Sequence, residues 1–415
     1  MAPAARRKLA LYALMTVLVV GSIEAALQLA AALSSRAAWL LGPPEVVGQS
    51  TDEPVSLTDP VLTWRPNPAF PEHDRNGFRN VRVPDRARIV ALGDSQTYGT
   101  GVQPSEAWPK QLEALLDEPV YSMAFGGWGP AHSWLLIDDA LQLRPDVVVV
   151  AVYSGNDLYD AFDLVYKRGQ APALKNPSRG RSADIQARES SEPLRVTVGR
   201  MFNLGAPAPP PSGDSLDSSS ISRSARSVRL LLSHHSRTYG LLRRLRYELR
   251  ADLWERAKAF AAMHPRFTEV LELSDRRTVL TPAYRLTALD LDDVRILEGR
   301  RIVVEALDRA HARVSAAGAR FVTLLIPTKE LVFASQQHPA SATYLSLLKN
   351  ERSFWHGLKK ALADRGIEYV DALPALRTAL ARGPQPYQVT TDGHPTKHGH
   401  QAIAGLVGAF VGQAR

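Results

Sequence analysis

Cysteine is absent from this 415-residue chain. Its absence excludes disulfide staples, thiolate metal sites and a cysteine nucleophile, and leaves the redox compartment open. The fold must hold by packing alone. No GxxxxGK string occurs, which sets aside a phosphate-cradling loop and nucleotide hydrolysis. Nor is there the compositional bias of a disordered protein: 45% of residues are hydrophobic and 22% charged, enough for one main core carrying an insertion and an anchor. The formal net charge is +8, and much of the arginine excess lies around Arg243-Arg244-Leu245-Arg246. With no nucleic-acid motif in sight, that excess points to an anionic membrane surface or an acidic polysaccharide.

Long apolar runs are scarce, with one exception. Arg6-Arg7-Lys8 precedes a stretch from Leu9 to Leu33 broken by only a few polar residues. About 20 helical residues cross a bilayer core of roughly 30 Å, so the stretch is long enough to span. Three basic residues before it, against Arg36 just after, predict a cytoplasmic N-terminus and an exported remainder. A cleaved signal peptide is the alternative, disfavoured because the stretch exceeds the usual h-region. Glu24 and Gln28 interrupt the run, and an ionisable group there calls for a partner.

The expected organisation is a cytoplasmic tip and transmembrane anchor over 1–36, a linker over 37–80 and a domain over 81–415 interrupted by an insertion at 165–290. Within the domain, Ala87–Leu92, Val120–Ala124 and Asp146–Tyr153, the last with four successive valines, read as strands. They alternate with helices predicted over Ser105–Leu116 and His132–Leu143. Continuous Val-rich runs alternating with helices predict a parallel sheet covered on both faces, hence an α/β fold. After the insertion the alternation resumes, with a helix over Asp292–Ala316, strands at Arg320–Ile326 and Ile367–Val370, and a last helix over Lys397–Val411. Residues 167–224, with Ala-Pro-Ala-Pro-Pro-Pro-Ser at 206–212 and serines at 218–220, predict a mobile segment. Leucines and aromatics at helical spacing over 226–262 predict amphipathic helices, forming either a lid or a membrane-surface element.

Chemistry concentrates at strand ends. Ser95, in Gly93-Asp94-Ser95, follows the first strand, where open parallel sheets present ligand-binding groups. A serine hydroxyl needs a base to become a nucleophile. His394, in Thr391-Asp392-Gly393-His394-Pro395, can serve near neutral pH, with Asp392 fixing its tautomer. The developing oxyanion needs donors, and Gly126-Gly127-Trp128-Gly129 and Ser154-Gly155-Asn156-Asp157 follow the next two strands. The Ser95 N–H, the Gly127 N–H and the Asn156 amide are the candidates.

These four blocks resemble, in order, those of the SGNH/GDSL hydrolases. The resemblance implies a flavodoxin-like three-layer sandwich, nucleophile Ser95, base His394 and oxyanion donors Ser95, Gly127 and Asn156. It also implies ester hydrolysis without a cofactor. Two features depart from the common pattern: Asp392 lies two residues before the histidine instead of three, and Ser122 stands where asparagine is common. The two-residue spacing and the string Leu325-Ile326-Pro327-Thr328-Lys329-Glu330 resemble an envelope-polysaccharide O-acetyltransferase branch. A sugar hydroxyl as acceptor, or a catalytically idle polysaccharide-binding or assembly module, are therefore the alternative readings.

Other residues have two readings each. Trp128 either stacks on a sugar face or packs in the core. Asp157 either contacts substrate or caps the helix that follows. His394, His398 and His400 do not read as a metal site, because Pro395 interrupts any helix carrying them and no Glu follows the first histidine; His398 and His400 are expected to be exposed.

Overall fold

A computed structural model describes residues 3–34, 37, 41, 54–194, 236–242, 253–336 and 340–412. They fall into two units, one formed from 1–54 and 210–252, the other from 55–209 and 253–415.

In the first unit, Pro3–Leu33 is a single helix, and its segment Leu14–Leu33 is long and apolar enough to cross a membrane. A signal sequence meets the same criterion. Glu24 has the partners that its position demands. Its carboxylate accepts the Ser236 hydroxyl at 2.9 Å and the Arg237 and Thr238 N–H groups at 2.7 and 2.9 Å, at the start of a helix over 237–242. Gln28 Nε2 donates to the same carboxylate at 2.7 Å.

The second unit is built on strands β3 (Ile89–Gly93), β4 (Val120–Ala124), β5 (Val147–Tyr153), β8 (Arg320–Ile326) and β9 (Glu368–Asp371). They pair in parallel in the order β4-β3-β5-β8-β9, with Ile89 opposite Val147 and Val147 opposite Arg320. Relabelled by appearance this is 2-1-3-4-5, the flavodoxin-like winding, whose switch point lies between β3 and β5. Every residue of β3, β4 and β5 is buried, so the valine run does not alternate: helices cover both faces. Val294–Ala316 packs with Pro130–Leu135 and Asp157–Phe162, and Lys397–Gly412 packs with Trp108–Leu116 and Leu373–Arg382. Gly299 permits the contact with Asp157–Phe162, since a Cβ there would lie 1.9 Å from the Leu158 carbonyl oxygen. That approach seats the turn after β5.

Two expectations need correction. Residues 55–80 do not merely link. Hairpin β1 (Ser56–Asp59) and β2 (Thr63–Pro66) is followed by buried Phe70, Phe78, Arg79 and Asn80. Arg79 donates to the carbonyls of Tyr98, Gly99 and Val102 at 3.2, 2.8 and 2.9 Å. Asn80 pairs reciprocally with the Ser122 backbone at 3.0 Å on both bonds. The arm is held by side-chain bonds to backbone, which a reading of Pro and Gly content does not register.

The described part of 167–224 is likewise structured. Helix Arg179–Ser191 docks through Glu189, whose carboxylate meets buried Arg295 at 2.9 Å and Lys167 at 3.1 Å. Leu174, Ile185 and Leu194 are buried in the main core beside these ion pairs, so a few apolar anchors and the charged ones together hold a segment whose composition predicted mobility. Residues 206–212, Ser218–Ser220, Arg243, Arg244 and Arg246 lie outside the described residues. Between the insertion's ends, helix Leu253–Met263, the antiparallel pair β6 (Glu269–Glu272) and β7 (Arg277–Leu280), and helix Pro282–Ala288 all belong to the second unit. Trp254, Ala257 and Ala261 pack with Val279 of β7.

Candidate active site

At the end of β3 the chain turns directly into the short helix Ser95–Tyr98, capped by Asp94, whose Oδ1 accepts the Gln96 N–H at 2.9 Å. Burial pushes the Asp94 carboxyl up to about 6, against the opposing pull of that N–H and of His394. Ser95 thus occupies the first helical position, where a backbone N–H has no intrahelical acceptor.

The segment before the last helix returns to this point. His394 Nε2 lies 2.9 Å from Ser95 Oγ, and its Nδ1 lies 2.7 Å from Asp392 Oδ1. The same carboxylate oxygen accepts the His394 N–H at 3.0 Å. Burial alone would raise the Asp392 pKa, but the charge and hydrogen bonds of His394, with the nearby Lys329 ammonium, pull it down to about 2. An ionised Asp392 favours the proton on Nδ1 and leaves Nε2 free to accept from the hydroxyl.

Gly127 adopts φ +76°, and a Cβ there would meet the Trp64 ring at 3.0 Å. Trp64 Nε1 also donates to the Gly126 carbonyl at 3.2 Å, so the arm before β3 braces the glycine turn. Among the described residues no acceptor takes the backbone N–H of Ser95 or Gly127. Asn156 Nδ2 donates to Asp160, which orients the amide; burial raises the Asp160 pKa, favouring its neutral form. Ser95, Gly127 and Asn156 line one cavity of about 550 Å³ with Asp392 and His394.

The insertion adds Phe260, Phe267, Tyr284 and Ala288 to the lining of that cavity, and helix Asp157–Phe162 adds Tyr159. Buried Arg285 also borders it, donating to the Gly155 carbonyl at 3.4 Å and stacking over Tyr284. None of these was singled out in the sequence, where each sits in a segment without a strand-end motif. Only Lys329, in the Pro-Thr-Lys-Glu string after β8, left a trace.

Trp128 is not a sugar platform. It is 1% exposed, stacked on His132, and donates to the Trp64 carbonyl at 3.3 Å. Asp157 does not reach the substrate space either: it is buried, and its Oδ2 accepts the Tyr153 N–H at 2.8 Å, tying the turn back to β5. His400 is fully buried, accepting the Trp108 N–H at 3.3 Å, because Gly399 and His400 begin the face of the last helix that packs inward.

Fold and site together define a doubly wound α/β protein with a hydrogen-bonded serine, histidine and aspartate at the switch point of its sheet. Among solved structures, phospholipase A1 from Streptomyces albidoflavus NA297 aligns at 11% identity and TM-score 0.36, over 79% of this chain and 99% of its own. The extracellular lipase from Streptomyces rimosus aligns at 14% identity and TM-score 0.35, over 78% and 98%. A GDSL-like lipase from Bacteroides thetaiotaomicron VPI-5482 aligns at 10% identity and TM-score 0.32, over 80% and 93%. At such scores the likeness lends no weight to an assignment, which rests on the chain's own geometry. No family model matches the chain, and no curated protein matches it.

Proposed function

We propose that the protein is a serine esterase of the SGNH/GDSL type, working through an acyl-Ser95 intermediate. The observation that carries this reading is the chain of two short contacts, Ser95 Oγ to His394 Nε2 at 2.9 Å and His394 Nδ1 to Asp392 at 2.7 Å. Ser95 Oγ attacks the ester carbonyl while Nε2 takes its proton, and Asp392 stabilises the imidazolium. The oxyanion is met by the N–H groups of Ser95 and Gly127 and by the second N–H of Asn156 Nδ2. Nε2 then returns the proton to the leaving alcohol, and water repeats the sequence on the acyl-enzyme.

The wall of Phe260, Phe267, Tyr284 and Ala288 favours an apolar acyl group of several carbons, since it removes that surface from water at roughly 25 cal/mol per Å². The same rings, partly exposed, favour a second reading in which a sugar stacks beside the acyl-enzyme and accepts the acyl group in place of water. Leu14–Leu33 would anchor the protein with this domain on the extracytoplasmic side.

The test is hydrolysis of aryl esters of increasing chain length by the full-length protein and its Ser95→Ala variant. Turnover that depends on Ser95 supports the esterase. Equal rates from both proteins would remove Ser95 from the chemistry, and turnover that appears only with an added glycan acceptor would favour transfer.

A further inference from the structure

Lys329 follows β8 in the second position after Pro327 and is 1% exposed. Among the described residues, no carboxylate forms an ion pair with its Nζ. It donates instead to four carbonyl oxygens: Val279 and Gln388 at 3.1 Å, Thr390 at 2.5 Å and Asp392 at 3.1 Å. Val279 belongs to β7, and the other three lie on the segment leading into His394. At its base that segment is closed by a bridge between Tyr387 and Pro395, and Val279 N donates to the Val389 carbonyl at 3.1 Å. Residues 388–392 therefore wrap around one buried ammonium.

We propose that Lys329 is a positioning residue for the Ser95–His394–Asp392 set, gathering the 388–392 carbonyls so that Asp392 is presented to His394. This inference rests on the reading of the preceding subsection. Each converging carbonyl directs the negative end of its dipole inward, and an ammonium, with three donors and no acceptor, meets the four of them with one N–H shared between two. Burial lowers the Lys329 pKa to about 8, with Glu330 and Asp392 opposing that fall. The ammonium is thus retained at neutral pH. Removing it orphans the carbonyls, at a cost paid in loop order, and withdraws one of the charges that keep Asp392 ionised.

The ion set that faces His394 and Asp392 comes from every neighbouring element: Asp94 from the end of β3, Arg285 from helix Pro282–Ala288, Lys329 and Glu330 after β8, and buried His400 from the last helix. Of these, Lys329 alone bonds the backbone of the 388–392 segment.

The experiment compares full-length wild type, Lys329→Met, Lys329→Arg and a remote core variant, Val314→Ala, in detergent. Val314 is fully buried on helix Val294–Ala316 and supplies a loss of core packing outside the site. Two quantities are read: the rate at which a fluorophosphonate labels Ser95 as a function of pH, and the pH at which the His394 signal titrates in protein carrying 13C-labelled histidine. The expected result for Lys329→Met is a labelling rate down about 100-fold, with the His394 midpoint moved down, as displacement of the Asp392 carboxylate from Nδ1 requires. Lys329→Arg recovers the wild-type midpoint and part of the rate, and Val314→Ala leaves both unchanged.

A Lys329→Met protein with the wild-type midpoint, whether its rate is unchanged or reduced only as far as that of Val314→Ala, overturns the proposal and leaves Lys329 a stabilising residue. If Ser95 in wild type is not labelled at all, the esterase reading fails, and the His394 midpoint still decides the role of Lys329.

Discussion

Replacing Asp392 by asparagine and by alanine separates the two services a carboxylate can render to His394, charge and orientation. A single oxygen, Oδ1, accepts both the His394 N–H at 3.0 Å and the Nδ1 proton at 2.7 Å. The backbone N–H selects an acceptor at that point, so Asp392→Asn should place its own Oδ1 there and keep the ring proton on Nδ1. Only the charge is then lost. An imidazolium and a carboxylate centred roughly 4 Å apart attract by about 1 kcal/mol at the dielectric of water and about 4 kcal/mol at an effective value of 20. The Asp392 side chain is 40% exposed, so screening favours the lower part of that range. A loss of about 1–3 kcal/mol in transition-state stabilisation corresponds to roughly 5- to 150-fold in rate. Asp392→Ala also removes the acceptor, freeing both the turn and the ring, and should lose more. Where a triad asparagine presents its amide to the histidine, the wrong tautomer costs about 10⁴. The assay is Ser95-dependent ester hydrolysis, or fluorophosphonate labelling, by the two variants side by side at pH 7.5. An Asp392→Asn rate near 10⁻⁴ of wild type, at or below that of Asp392→Ala, would falsify the one-oxygen argument. An unchanged rate in both would take Asp392 out of the mechanism.

Three further outcomes follow from the same geometry. Trp64→Ala removes both the donor to the Gly126 carbonyl and the ring against Gly127; kcat on a short aryl ester should fall about 10- to 100-fold with KM little changed, a fraction of the loss of a whole oxyanion donor, and a change confined to KM would contradict that role. Ala288→Trp fills part of the cavity's apolar wall and should lower kcat/KM for octanoyl esters at least about tenfold while acetyl esters keep theirs, on the scale of several lost methylene contacts; a uniform fall across the chain-length series would refute the assignment of that wall. Burial lowers His73 to about 4 and His132 and His400 to about 3. These folded values lie below the unfolded one, so the unfolded chain binds more protons below about pH 6.5 and stability falls with pH until it reaches 4 to 3. The slope approaches about 1.4 kcal/mol per unit for each histidine. A thermal midpoint that stays flat from pH 7 to 4.5 would show that they are not buried neutral.

The central sheet was readable because its strands are buried on both faces and so spell unbroken apolar runs, Val147 to Val150 above all. The strand-end strings placed Ser95, Gly127, Asn156 and His394 along one edge of that sheet, and the winding order brought them to one cavity. What stayed hidden has a common cause. Arg79, Asn80 and Glu189 anchor their segments through hydrogen bonds and ion pairs to distant backbone and side chains, and such anchors leave no periodicity. Trp128 and Asp157 misled for the opposite reason, since proximity in sequence to a reactive block says nothing about which way a side chain turns. Trp128 turns inward onto His132, and Asp157 turns back to β5. Part of the cavity's apolar lining arises within the insertion, where a lid was one of the two readings of residues 226–262, but the individual residues carry no motif.

The two-residue interval between Asp392 and His394 first read as a departure from the commoner spacing, and the geometry supplies its physical content. At that interval an aspartate can close a turn on its own chain, its Oδ1 accepting the N–H two residues on, as Asp392 does with His394. The turn directs the following imidazole back over the same oxygen, so a local backbone motif sets the pairing of Nδ1. A local turn, however, does not choose its own place in the fold. That is left to the ends of the segment, where the Tyr387–Pro395 bridge and the Lys329 ammonium hold residues 388–392 against β7. Orientation is thus set within three residues and location by a lysine some sixty residues earlier in the chain. Damage to either should lower the rate and move the pH at which the histidine works, because both take the carboxylate from the imidazolium that it stabilises.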